Sequence, residues 1–113
     1  VSDVLEKTTE AWLGRKLREV GGLWMKFTSP GHSGVPDRIL VLRGHTVYVE
    51  MKREKGKVSP IQKATFDLMV KAGVSIHVVY GKNGAQDFLN DIKSPAGFVL
   101  QGDKTDAGVY EWR

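Results

Sequence analysis

Residues 34–52, GVPDRILVLRGHTVYVEMK, place two carboxylates and a lysine on what otherwise reads as apolar strand. Asp37 stands at the entry of RILVL, and Glu50 and Lys52 stand near the end of TVYVEMK. Side chains alternate along a strand, so Glu50 and Lys52 project from one face while Val47, Val49 and Met51 take the other. A two-residue turn at Arg43-Gly44 sets Leu42 opposite His45 and, in the same register, Asp37 opposite Glu50. Directly paired residues share a face with Cβ atoms roughly 4.5–5.5 Å apart, so this register gathers Asp37, Glu50 and Lys52. Arginine is not the preferred first residue of such a turn, and a longer loop would leave Asp37 a diagonal neighbour instead.

Two carboxylates this close repel each other unless a cation or a proton lies between them. Oxygen donors suit a hard cation, Mg²⁺ or Mn²⁺, with water and a phosphate oxygen completing its shell. Lys52 can neutralise charge on a phosphate or hold an attacking water. These are the parts of metal-assisted phosphodiester hydrolysis. A surface strand ending in a Glu/Lys pair is the competing reading of Glu50-x-Lys52 alone; Pro36-Asp37 across the hairpin weighs against it.

The elements that must position these groups are punctuated clearly. From about Val4 to Val20, Leu13, Leu17 and Val20 recur at helical spacing, with Gly21-Gly22 as a stop. LWMKF, residues 23–27, is a short strand, and TSPGHSGVP is a loop by its Gly, Pro and Ser content. After the hairpin and a polar REKGKV loop, Ser59 can cap a second helix, with Pro60 in its first turn and Gly73 past its end. VSIHVVY suits a central strand. Beyond GKNG a shorter helix buries Phe88, Leu89 and Ile92, and GFVLQGDKTDAGVYEW reads as a hairpin or an irregular extension. The order α-β-β-β-α-β plus an appended element is an α/β (α+β) sandwich around one mixed sheet. We expect a single domain over 1–113, its core about 4–93 and its C-terminal extension 94–113.

The 113 residues, 41% hydrophobic and 27% charged, suffice for one buried core. The absence of cysteine excludes disulfides, thiolate metal sites and cysteine nucleophiles. No apolar run approaches the ~20 residues that span a bilayer, so no membrane partner is expected. VSDVLEKTTE lacks the features of a signal peptide, which makes the cytoplasm the expected compartment. Seventeen Lys and Arg against thirteen Asp and Glu give a net charge of +4 and favour a polyanionic partner. HExxH, P-loop and GxGxxG motifs are absent, and no group pairs with His32 or Ser33 as serine hydrolysis requires.

Pro36-Asp37 followed by Glu50-Met51-Lys52 resembles the PD-(D/E)xK signature of restriction-endonuclease-like nucleases. Gly21-Gly22, Lys26, Gly34-Val35-Pro36-Asp37-Arg38, Glu50-x-Lys52 and Gln62, in this order, narrow the likeness to the virus-type replication-repair nuclease (VRR-NUC) domain over about residues 5–81. The resemblance implies a restriction-endonuclease-like αβββαβ core with helices flanking the sheet. It implies Mg²⁺ or Mn²⁺ at Asp37 and Glu50, with the Met51 carbonyl as a further ligand, and Lys52 at the chemistry. It implies cleavage of branched DNA such as Holliday junctions, in a bacterium or a virus-infected host cell. Cutting two opposed strands calls for a two-fold homodimer, with the first helix or the terminal hairpin as its interface.

Members of this family also carry a glutamate on the first helix. Here it falls at Glu10, at the edge of the arc of Leu13, Leu17 and Val20, where it would complete or support the metal shell. Glu6 and Glu19 have weaker claims. The resemblance gives Gln62 an assisting role, while Ser59-Pro-Ile-Gln62 equally reads as a capping box. Lys26, His32, Ser33, Arg38, Arg53, Lys55 and Lys57 are expected on the nucleic acid, along with Arg15, Lys16 and Arg18. Phosphate contacts of this kind position a substrate without reading its sequence. The three tryptophans are expected to pack, with Trp112 exposed. Two alternatives stand beside the nuclease of branched DNA: a non-catalytic basic module that binds branched nucleic acid, and a nuclease for flaps or RNA.

Overall fold

Alternation along the strands sorts the side chains of this protein into two helical layers. The computed structural model describes residues 2–94, 102–106 and 108–113, with backbone alone for 2–6 and 103–106. The elements are α1 (Ser2–Glu19), β1 (Leu23–Lys26), β2 (Arg38–Leu42), β3 (His45–Lys52), α2 (Pro60–Lys71), β4 (Ile76–Tyr80), α3 (Gly81–Lys93), β5 (Asp103–Asp106) and β6 (Val109–Trp112). They form one six-stranded sheet in the order β1-β2-β3-β4-β6-β5. β1, β2 and β3 are antiparallel, and β3, β4 and β6 run parallel. The sheet is mixed, as its order of elements predicts.

Leu40, Leu42, Val47, Val49, Met51 and Val79 face α1 and α3, where they pack with Leu13, Leu17, Phe88, Leu89 and Ile92. On the opposite face Ile76, Val78 and Tyr80 meet Phe66 of α2, with Tyr48, Met69 and Val70 around them. β4 lies between both layers and all five of its residues are buried, which explains its near-continuous apolar run. The β3–α2–β4 crossover is what brings α2 over the face that carries Glu50.

The β2–β3 hairpin closes on the two-residue turn, with Leu42 opposite His45. Arg43 has φ 51° and Gly44 φ 80°, the two positive values that a type I′ turn demands. Arginine is tolerated there because its Nη1 donates to the Ile92 carbonyl at 3.2 Å, tying the turn to the end of α3.

Two expectations need correction at the C-terminal end. GKNG is not a linker before the third helix but its first turn. Gly84 lies where an added Cβ would come within 2.1 Å of the Trp112 carbonyl, so this glycine serves close helix–strand packing rather than a turn. Trp112, in turn, is 4% exposed. Asp103–Asp106 and Val109–Trp112 do form a hairpin, and its second strand pairs with β4 inside the sheet, which buries that indole; residues 95–101 and 107 of the expected extension lie outside the described residues.

Candidate active site

The hairpin register continues one residue past β2, to Asp37, through side chains. The Asp37 amide donates to Glu50 Oε1 at 3.1 Å, and the Met51 amide donates to Asp37 Oδ1 at 3.0 Å. Each strand's amide is thus answered by the other strand's carboxylate. From the other side, the Phe27 amide donates to the Asp37 carbonyl at 2.8 Å. Asp37 is therefore fixed in backbone and side chain alike, as a site built on a sheet should be.

Glu50 is 5% exposed and commits both oxygens. Its Oε2 accepts from Gln62 Nε2 at 2.9 Å and lies 3.4 Å from Lys52 Nζ. Gln62 fills both of its expected roles at once. Its Oε1 accepts from the Ser59 amide at 3.0 Å while the Gln62 amide donates to Ser59 Oγ at 3.2 Å, which completes the capping box. One side chain fixes the start of α2 and presents an N–H to the buried carboxylate.

The electrostatics follow from this crowding. Burial, and then the Glu50 charge, push the Asp37 carboxyl up to about 7; the Met51 amide and Arg38 oppose them. Burial also raises Glu50, offset by its bonds to Gln62 and Lys52. A buried and a half-buried carboxylate held this way are uncomfortable without a cation. Asp37, Glu50 and the Met51 carbonyl are all oxygen donors, and Mg²⁺ is held by one or two carboxylates while it keeps several waters. The donor set fits Mg²⁺ or Mn²⁺.

Other expected residues lie elsewhere. Asp37 and Arg38 are consecutive and point to opposite faces. Arg38 Nε donates to Glu10 of α1 on the second face, and its guanidinium lies over the Trp24 ring at 5.7 Å. Among the described residues no three Asp, Glu, His or Cys side chains converge as a metal cluster, so Glu10 pairs with Arg38 rather than joining Asp37 and Glu50. Its charge still reaches Asp37 and helps raise it. Lys26 pairs with Arg38 across β1–β2 and stands exposed on that same second face. His32 and Ser33 are exposed in the loop before Asp37, and Arg53, Lys55 and Lys57 are exposed just after Lys52. Arg15 and Arg18 are exposed on α1, and Lys16 pairs with Glu19 at 3.6 Å. The side chain of Glu6 lies outside the described residues.

One positioning residue, Thr65, escaped the sequence reading, and Gly34 was named there without its structural role. Thr65, buried on α2, donates from Oγ1 to the Ser33 carbonyl at 2.6 Å. Gly34, at φ 85°, sits where an added Cβ would come within 2.6 Å of the Ile61 carbonyl. Together they seat the loop against α2 and aim Pro36-Asp37 at Glu50. A threonine on the inner side of a helix was the available signal.

Residues 2–83 match the VRR-NUC domain. The chain belongs to the VRR-NUC family. One relative, p44 of Acyrthosiphon pisum secondary endosymbiont phage 1, is named as a candidate nuclease and is 40% identical over 60 residues. That match covers 52% of this chain and 64% of the relative. A solved VRR-NUC domain superposes with a TM-score of 0.67 at 26% identity, covering 75% of this chain and 94% of that one. The family match and the shared fold place a VRR-NUC domain over most of this chain, which spans just under two thirds of the length of that phage relative.

Proposed function

We propose that this protein is a Mg²⁺- or Mn²⁺-dependent endonuclease that hydrolyses phosphodiester bonds in branched DNA, and that it acts on four-way junctions as a homodimer. The observation that carries the reading is the register of the β2–β3 hairpin, which joins Asp37 and Glu50 through reciprocal amide–carboxylate bonds beside Lys52. Asp37, Glu50 and the Met51 carbonyl would hold the metal, which supplies Lewis acidity toward a phosphate oxygen and a more acidic water. Lys52 orients the water and balances negative charge developing on the phosphate. Gln62 holds Glu50 in place through Nε2. Glu10 acts at one remove, by fixing Arg38 and adding its charge near Asp37.

Arg53, Lys55 and Lys57 extend from the catalytic strand into solvent and suit phosphates flanking the cut. For the homodimer, the exposed apolar side chains favour a surface other than α1 or the terminal hairpin. Leu23 and Met25 on β1, with Ile61 and Leu68 on α2, stand exposed among the described residues.

The test is cleavage of a labelled four-way junction beside a matched linear duplex, in Mg²⁺, Mn²⁺ or EDTA, by wild type and Lys52→Ala. Metal-dependent cutting of the junction that disappears in the variant is expected. Tight binding without cutting in either metal would leave only a non-catalytic binding module.

A further inference from the structure

α1 and α3 lie on the same face of the sheet and leave a groove between them that the catalytic reading does not use. Its wider part is a cavity of about 760 Å³. Lys7 and Arg15 enter it from α1, and Lys82 from α3, with the amides of Asn83 and Gln86 beside them. Trp12, half-buried against the core, forms part of the wall. No carboxylate lines this cavity among the described residues. A second cavity, about 340 Å³, carries the groove past Trp12 and Gln86 toward Lys16 and Lys93. Among the described residues the one carboxylate there, Glu19, is paired with Lys16.

The groove opens at the catalytic end of the molecule. Lys82 lies two residues beyond Tyr80, which pairs with Lys52 across β3–β4. Glu10, bound to Arg38 next to Asp37, follows Lys7 and Thr9 on the same helix.

We propose that the α1–α3 groove binds an unpaired stretch of DNA, with a base stacked on Trp12 and the adjoining phosphates held by Lys7, Arg15 and Lys82. Charge selects the ligand: among the described residues three cations and no carboxylate line this concave cavity, which calls for a polyanion. The indole selects its state. A base inside a duplex is stacked on both sides and offers no face to a wall residue, whereas an unpaired base does. Trp24 and Trp112 are buried in the core, so Trp12 is the tryptophan left to stack. The inference rests on the nuclease reading for the identity of the polymer and on nothing at the catalytic carboxylates.

The full chain in EDTA, titrated with a short oligothymidylate and followed by tryptophan emission, gives the test. Wild type should show saturable quenching. Trp12→Phe should bind but lose the quench, and Trp12→Ala should bind about five- to 150-fold more weakly, the worth of one stacked base. Lys7→Ala/Arg15→Ala/Lys82→Ala changes only exposed side chains. It should weaken binding and flatten the plot of log affinity against log salt by about 2. Unchanged affinity and salt slope in that triple variant would overturn the assignment. So would quenching that survives in Trp12→Phe, or equal binding of the matched duplex. Cleavage of branched DNA by wild type is scored separately. A protein that cuts but shows no quench refutes the groove alone, and one that quenches without cutting refutes the nuclease reading and upholds the groove.

Discussion

Glu50 is the residue on which the site converges, and its neighbours each offset part of the cost of burying it. The Asp37 amide, Gln62 Nε2 and Lys52 Nζ all approach its two oxygens. What they leave unanswered is the second carboxylate, Asp37, pushed up to about 7 by burial and by Glu50 itself. Asp37→Asn keeps an oxygen for the Met51 amide and removes the repulsion. In EDTA this variant should melt roughly 4 °C above wild type, the equivalent of ~1 kcal/mol, and with Mg²⁺ it should cut no DNA. A lower melting temperature in calorimetry would show that the two carboxylates do not repel. The double duty of Gln62 separates in a second comparison. Ser59→Ala removes one cap bond at about 1 kcal/mol but leaves the bond to Glu50, so cleavage should persist. Gln62→Ala loses both and should slow cleavage about 10- to 100-fold for a similar loss of stability. Urea titrations beside initial rates would check this; equal rate losses in the two variants would mean that only the start of the helix matters.

At the scale of elements, what was legible in the sequence was local. The hairpin could be read because alternation and a turn fix its register, and with it the meeting of Asp37 and Glu50. The second helix could be read from Ser59, Pro60 and Gln62, which sit within a single turn. The partner of Glu10 could not. Helical spacing says which arc of α1 is buried, but not that α1 crosses the face to which Arg38 points. The pairing of β6 with β4 was equally hidden, since it joins segments far apart in the chain. That pairing sets the chemistry of His77. Trp112 Nε1 donates to His77 Nδ1 at 3.3 Å, from 35 residues away, and Tyr110 stacks on the ring at 5.3 Å. The ring is therefore neutral with its proton on Nε2, and burial holds its pKa down at about 4 against an ordinary 6.5. Between those values the unfolded chain binds more protons than the native one, so stability rises with pH. This contribution is complete above 6.5 and is lost as pH falls toward 4, on the order of 3 kcal/mol in all. The raised Asp37 carboxyl works in the opposite direction over the same window, so the His77 share is read as a difference: in urea unfolding, stability should rise less steeply with pH in His77→Gln than in wild type. A variant with the wild-type slope would place the acid sensitivity elsewhere.

At the scale of the molecule, the two faces of the sheet are unequally covered. Among the described residues α1 and α3 share one face, whereas α2 alone packs on the other, over β3 and β4. Met25 pairs with Ile39 and Ile39 with Tyr48, a member of the α2 cluster, so the exposed side of β1 looks the same way as α2. Leu23, Met25, Ile61 and Leu68 on that side are between 38% and 57% exposed. β1 also ends the strand order, and among the described residues its outer edge is open, a liability unless something covers it. A second copy related by a two-fold axis would cover both, with each protomer bringing its own Asp37–Glu50 site from the same face. Leu23→Glu combined with Leu68→Glu should then yield a folded monomer in sedimentation velocity, because both side chains already stand in solvent within one protomer. On a four-way junction that monomer should nick one strand at a time, where the proposed dimer should make paired cuts within one binding event. Paired cuts by a wild-type protein that sediments as a monomer would remove the homodimer from the mechanism and leave the metal site as proposed. A variant that stays dimeric would keep the two-fold arrangement and move its interface off β1 and α2.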